Sequence, residues 1–394
     1  MFVSRAPPTV TGMRRRHFLS TGAAAGLAGL TATAAPRPTA AASTRTAAAD
    51  RTAAVRGYDD GLARRDLTTR GADGVRIFLR EVTTPGRPPR GAPLLLVHGA
   101  RPDGTSAFDL PVPGGSLAAD LVRATDRPVY AMDLRGFGRS DLPPGMRTPA
   151  AGAEPQVRSD TALADIGTAV AFLRLRHRSR RLAALGWATG GHWLGMYAAL
   201  HTDLITDLVV LNTLYSGTSH WPLQGELADP GRPGEPLPQP GWRAVTADSL
   251  TARWDTGLPA GQDPDVRRDP AVRAAYREAA LRHGPPDGSA TPPGGQPAPP
   301  AFRNPTGPLV DAFYLAQGRQ FYDAGLIRAR TLVLRGEDDF WSRPEDAELL
   351  GRHLTRAAEA RVRTLPGASH YLHLERPGFG RDRLLAEVRD FLSG

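Results

Sequence analysis

Leu185-Gly186-Trp187-Ala188-Thr189-Gly190-Gly191 ends the apolar run Leu182–Trp187 and opens the helical pattern Gly190–His201. An apolar run that breaks at glycines and resumes with helical periodicity predicts a strand, a sharp turn and a helix in direct succession. Gly186 and Gly190 remove side chains where the turn would crowd its neighbours. Such a turn lifts its central residue, here Ala188, above the end of a sheet. Alanine brings neither a proton nor a lone pair to that position, so any chemistry near it rests on the surrounding residues.

Outward from this stretch, short apolar runs recur at Val75–Val82, Leu94–His98, Val129–Leu134, Leu208–Leu211, Thr331–Arg335 and Arg361–Leu365, with helical patterns such as Asp160–Arg176 between them. Strand–helix alternation of this kind predicts an α/β fold, a mainly parallel sheet covered by helices on both faces. No internal repeat is evident. The alternation is interrupted between residues 215 and 327, where the stretches Pro222–Pro240 and Pro285–Pro308 are too rich in proline for central strands or long helices. Within this insert Asp269-Pro270 reads as an N-cap with proline at the first helical position and Gly284 as the stop, and a second helical pattern runs from Leu309 to Asp323. The expected organisation is a leader over 1–49, the first part of the core over 50–214, the insert over 215–327 and the rest of the core over 328–394. The insert, between the sixth and seventh strands, reads as a lid over the sheet edge where ligands of open α/β sheets bind.

Four further motifs follow in a fixed order. Leu94-Leu95-Leu96-Val97-His98-Gly99-Ala100 is a strand running into an H-G loop, and Asp133-Leu134-Arg135-Gly136-Phe137-Gly138-Arg139-Ser140-Asp141 has the form D-x-R-G-x-G-x-S-D. Gly336-Glu337-Asp338-Asp339 follows one late strand, and Gly367-Ala368-Ser369-His370 follows the next. With the frame around Ala188, this ordered set resembles the α/β-hydrolase superfamily over roughly residues 70–394, and the 185–191 stretch resembles its G-x-S-x-G nucleophile elbow with alanine in place of serine. The resemblance implies an esterase-like hydrolase. His370 is the implied base, and Asp339, in the fourth position of G-x-x-D, the implied acid, with Asp338 as the alternative one residue away. The backbone N–H groups of Ala100 and Thr189 are the implied oxyanion donors; His98, Gly99, Gly186, Trp187 and Gly190 shape the loop, the elbow and the pocket wall. Main-chain donors survive side-chain substitution.

Three functions are compatible with Ala188: an acyl-transfer scaffold that lacks its nucleophile, an enzyme that uses His370 and Asp339 as a general base without a serine, or a binding or adhesion module. The side chain of Thr189 should point away from the pocket when its N–H points in, and Ser140 and Ser369 sit in motif turns. His192, His201 and His373 lack metal-ligand spacing, so neither a metal nor another cofactor is expected. The insert aromatics Trp221, Trp242, Trp254, Phe313, Tyr314, Phe321 and Tyr322 suggest an apolar or aromatic ligand, although aromatics at such positions more often pack. Taken with the esterase chemistry that the resemblance implies, the expected partner is a small molecule, apolar or ester-containing.

The chain has 394 residues and a formal charge of +9, but residues 1–49 hold six arginines and no acid, leaving +3 on the remainder. An ordinary surface of that kind gives no reason to expect a nucleic-acid partner. Arg15-Arg16-His17-Phe18-Leu19 ahead of the Ala/Gly/Leu/Thr run Leu19–Ala35 resembles a twin-arginine export signal, with small-residue cleavage candidates at Ala34, Ala42 and Ala49. Export to the periplasm or the exterior, by way of the twin-arginine machinery, is therefore expected. The run is too short and too poor in large aliphatics for a stable membrane anchor. With no cysteine, disulfides and lipid attachment at a lipobox are impossible.

Overall fold

The computed structural model describes residues 53–54, 59–88, 90–256, 261–287 and 299–393; residues 1–49, on which the expectation of export rests, lie outside the described residues. The core strands are β1 Ala63–Arg70, β2 Arg76–Thr83, β3 Leu94–Val97, β4 Val129–Asp133, β5 Leu182–Trp187 and β6 Ile205–Leu211. The insert contributes β7 Trp242–Thr246 and β8 Ala301–Pro305, and the core closes with β9 Arg330–Asp338 and β10 Ala360–Ser369. The main helices are α1 Gly104–Phe108, α2 Leu117–Thr125, α3 Ser159–Arg176, α4 Thr189–Leu200, α5 Pro270–His283, α6 Gly307–Ala316, α7 Pro344–His353 and α8 Arg381–Ser393.

The main sheet has the order β1-β2-β4-β3-β5-β6-β9-β10, with the two-residue strand Ala53–Ala54 beyond β1. β1, β2 and β4 pair antiparallel, and from β4 to β10 every pairing is parallel. Alternate side chains of the central strands enter two separate cores, as the period of two requires. Leu94, Leu96, Val129, Ala131, Ala183 and Leu185 pack into one, with Leu121 of α2 and Phe391 of α8. Leu95, Val97, Tyr130, Met132, Leu182 and Ala184 pack into the other, with Ile166 of α3 and Trp193 of α4. Burial on both faces explains why these strands read as continuous apolar runs.

Because the central strands are parallel, their C-terminal ends share one edge. Register places Val97 opposite Gly186, Trp187 opposite Leu211, and Leu211 opposite Leu334. The residues that follow β3, β5, β6, β9 and β10 are thus brought together although up to about 270 positions separate them in the chain.

The structure adds one strand that the sequence reading left out and shortens one helix. β1 was not evident from hydrophobic pattern, because in Ala-Arg-Arg-Asp-Leu-Thr-Thr-Arg only Leu67 is a fully buried apolar residue; its other support is ionic, with Arg64 bonded to Asp109. The helical pattern from Leu309 stops at Ala316 rather than Asp323, since Gly318 adopts φ 84° and turns the chain. In the insert, Asp269 caps α5 by accepting from Ala271 N–H at 2.9 Å, and β7 pairs antiparallel with β8 in a ribbon separate from the main sheet. Among the described residues no helix is long and apolar enough to cross a membrane.

α4 starts in contact with the end of β3, and a Cβ on Gly190 would overlap the Val97 carbonyl, a backbone atom that cannot swing away. Gly190→Ala should therefore cost at least about 2 kcal/mol of unfolding free energy in urea titration, and a neutral effect would contradict this packing.

Candidate active site

Ala188 occupies the turn between β5 and α4 with φ 53° and ψ −121°. An L-residue in this region carries about 1–3 kcal/mol of strain and persists only where its surroundings fix it. Here the Ala188 N–H donates to Leu211 O at 2.8 Å, and its carbonyl accepts from Gly191 N–H at 3.0 Å and from the Thr213 hydroxyl. Gly186 permits the elbow, since a Cβ there would overlap the Gly190 carbonyl. Ala188 lines a cavity of about 250 Å³ together with Gly99, Ala100, Trp187, Thr189 and His370.

The carboxylate that meets His370 belongs to Asp339. His370 Nδ1 lies 2.7 Å from Asp339 Oδ1, and Asp339 is fixed from the other side by the N–H groups of Trp341 and Ser342, each at 2.9 Å, and by the Ser342 hydroxyl. Asp338, still in β9, points elsewhere and pairs with Arg267 at 3.3 Å. Since a carboxylate only accepts, Nδ1 carries a ring proton, and in the neutral tautomer that this selects the lone pair belongs to Nε2, the form a general base requires. The His370 carbonyl accepts from Trp187 Nε1–H at 3.0 Å and Asn212 Nδ2–H at 3.1 Å. Trp187 is therefore both a wall of the cavity and a clamp on the histidine loop.

His98 sets the direction of the opposite loop. Its Nδ1–H donates to Gly99 O at 2.7 Å, and its Nε2 accepts from Leu134 N–H at 3.2 Å. Gly99 O and Ala100 N–H belong to one trans peptide unit and point oppositely, so drawing the carbonyl toward His98 turns the N–H of Ala100 away from it. The N–H of Thr189 heads α4, where no intrahelical acceptor exists. Both donors belong to residues that line the cavity. The Thr189 hydroxyl is buried without a hydrogen-bond partner among the described residues.

Sequence reasoning missed Asn212, a fully buried residue at the end of β6 with φ 52°. Its Oδ1 accepts from Gly336 N–H at 2.8 Å while Nδ2 donates to the carbonyls of Ser369 and His370, so one amide joins the end of β6 to β9 and to the histidine loop after β10. The only signal was an asparagine directly after an apolar strand. The D-x-R-G-x-G-x-S-D turn also has a positioning part: Asp133 accepts from Gly104 N–H and Arg139 N–H, both at 2.9 Å, anchoring the chain just beyond the Ala100 loop. Burial and the nearby Asp103 push the Asp133 carboxyl up to about 7. Ser140 bonds Phe78 N–H and Asp133 O, and Ser369 bonds Glu375 and Tyr371 N–H.

The aromatics proposed from the insert do not line the cavity. Trp221, Trp254 and Phe313 are fully buried, Trp221 against Trp341 and Trp254 against Tyr371. The lining comes instead from Leu223, Leu227, Leu309, Phe340, Trp341 and Tyr371, with Arg101, Arg243, Arg253 and Glu226 as its charged members. His192 and His373 are fully buried and held neutral, burial pushing His192 down to about 3 and His373 well below its ordinary value; His201 is exposed, its ring tilted against that of Tyr197. Among the described residues, no group of three His, Asp or Glu side chains could hold a metal ion.

The sequence profile of the alpha/beta hydrolase family matches residues 94–379. No curated protein matches the chain in sequence. Among solved structures, an esterase from Rhodococcus is similar at 20% identity and a TM-score of 0.53, covering 84% of this chain and 98% of its own. A Thermogutta terrifontis thermophilic esterase is similar at 19% identity and a TM-score of 0.50, covering 84% and 98%. A serine-to-alanine mutant of a meta-cleavage product hydrolase from Pseudomonas fluorescens is similar at 16% identity and a TM-score of 0.52, covering 83% and 97%. At these identities the likeness concerns the fold.

Burial pushes His98 down to about 4. The unfolded chain takes up a proton near its ordinary value of 6.5 while the folded chain does not, so this contribution is full above 6.5 and is lost as pH falls toward 4. His98→Gln removes that titration. The stability difference between parent and variant should then shrink by about 2–3 kcal/mol between about pH 7.5 and about pH 4.5 in urea titrations; a pH-independent difference would contradict a neutral buried His98. Asn212→Ala should cost about 2 kcal/mol or more by the same measurement, because it strands buried carbonyls and the Gly336 N–H.

Proposed function

The chain belongs to the alpha/beta hydrolase family, and from that premise we propose that it presents an esterase-type site in which Ala188 stands at the nucleophile's position. The observation that carries this reading is the strained elbow at Ala188 opening on the same cavity as an Asp339-bonded His370. An alanine has no use for a left-handed backbone conformation, whereas a nucleophile at that place would be aimed by it. Ala100 and Thr189 supply main-chain N–H groups for a developing oxyanion, and these do not depend on the side chain at 188. His370 retains the orientation of a base but faces no hydroxyl at position 188. Loss of a triad nucleophile lowers turnover on the order of 10⁶-fold, yet on the order of 10³–10⁴ over water can remain from the oxyanion donors and binding. The protein on this reading binds esters and cleaves them very slowly. The insert, which furnishes Leu223, Leu227 and Arg243 to the cavity, acts as its lid, and the Arg15-Arg16 leader directs export.

The intact Asp339–His370 hydrogen bond supports a second reading. With Nε2 free, His370 could take a proton from water or from an acidic carbon of a bound ligand, the resulting oxyanion resting on the same donors.

Ala188→Ser should raise the hydrolysis of short 4-nitrophenyl esters by at least about 10³-fold, and adding His370→Ala should abolish the gain. If Ala188→Ser stays as inert as the parent chain, the esterase reading is wrong. A conversion by the parent chain that His370→Ala removes and Ala188→Ser leaves standing would establish the second reading instead.

A further inference from the structure

Arginine is the only cationic residue type that is always charged in this chain, and most of its buried copies are matched by acids. Arg64 bonds Asp60 and Asp109, Arg80 bonds Asp66 and Asp109, Arg343 bonds Asp346, and Arg381 bonds Asp120. The candidate site departs from this pattern. Its lining carries Arg101, Arg243 and Arg253 against the one acid Glu226, and that acid is taken by Arg253 at 2.6 Å. Neither Arg101 nor Arg243 has a hydrogen bond or an ion pair from its side chain to any described residue, and Arg243 Nε is buried without a partner.

Both residues are partly buried, so water does not fully replace the missing acid. Burial pushes the Arg243 guanidinium down to about 10, and the charges of Arg101 and Arg253 push in the same direction. A cavity that holds like charges together with an unpaired buried donor is built for something that supplies the opposite charge. The planar guanidinium fork selects carboxylate or phosphate oxygens, which accept two parallel N–H bonds.

Position narrows the ligand further. Arg101 directly follows Ala100, the loop residue whose N–H is assigned to the oxyanion, while Arg243 reaches the same cavity from β7 of the insert. We infer that the site takes an ester bearing a free acid group, carboxylate or phosphate, a few bonds from its carbonyl, seated between Arg101 and Arg243. This rests on the ester-binding reading of the cavity. The acid group bridges core and insert, so the charge of the ligand draws the two parts of the pocket onto it. The apolar lining from Leu223, Leu227 and Leu309 accommodates the carbon chain.

The test uses the full chain with Ala188 in place, which cannot consume its probe quickly. Isothermal titration with monomethyl glutarate and with dimethyl glutarate compares one carboxylate with its neutral ester. The half-ester should bind at least about tenfold more tightly, a preference that declines with added salt. Arg243→Met and Arg101→Met should each collapse the preference, while Arg243→Lys, which keeps the charge and loses the fork, should retain part of it. Inorganic phosphate as a competitor separates the two acid groups: displacement of the half-ester well below the concentration at which free glutarate acts assigns the anion as phosphate, and the reverse order assigns it as carboxylate. Equal affinity for the two glutarates, failure of the half-ester to bind at millimolar concentration, or a preference that survives both methionine variants overturns the inference. Thermal melts confirm that each variant is folded, and the lysine variant carries the comparison if a methionine variant is not. Hydrolysis by Ala188→Ser is scored separately on a neutral 4-nitrophenyl ester. Activity there without acid preference removes only this inference; acid preference without activity removes only the esterase reading.

Discussion

The site depends on how closely the backbone can crowd at one point. Between Gly186 and Gly190 the chain reverses from β5 into α4 with so little room that a Cβ at either glycine would strike a main-chain carbonyl. That contact presses the start of α4 onto the end of β3 and forces φ 53° on Ala188. Strain of this size survives because Leu211, Thr213 and Gly191 bond the same peptide units from three sides. Relaxing the elbow would displace the N–H of Thr189 and uncouple the cavity from the sheet.

Around the elbow, polar side chains are used chiefly to orient backbone. His98 holds a carbonyl so that the next N–H turns away from it, Asp133 anchors the start of α1, and Asn212 joins three strand ends. Asp339 accepts two main-chain N–H groups before it meets His370. Each is buried, where an unmatched polar group is costly and a matched one is rigid. An arrangement of this kind, held by backbone and buried polar groups, does not depend on the side chain at position 188.

The two sources of the cavity wall differ in chemistry. The sheet edge contributes backbone N–H groups and the hydrogen-bonded pair of Asp339 and His370, and the insert contributes leucines and Arg243. The core side is fixed by register and hydrogen bonds across the sheet. The insert side has its own small ribbon of β7 and β8, with Asn304 reaching back to the Ala100 carbonyl at 3.1 Å. The two walls are thereby supported separately and meet at the cavity, where Arg101 comes from the core and Arg243 from the insert.

Much of this was legible in the residues because it is written locally. The alternation of apolar runs with helical patterns, the glycines of the elbow and the order of motifs all depend on neighbours within a few positions, where steric and hydrophobic preferences act directly. The α/β class, the places of the central strands and the gathering of Ala188, Asp339 and His370 at one edge followed from that. β1 escaped because its support comes from ion pairs rather than hydrophobic period, and the insert aromatics misled because bulk alone does not say which way a ring faces. The contact that sets Asp339 rather than its alternative Asp338 against His370, the roles of His98 and Asn212, and the meeting of two unmatched arginines at the cavity are visible only in the folded chain. Those relations join residues about 30 to 160 positions apart. Sheet register and loop direction set them, and neither leaves a pattern in the sequence nearby.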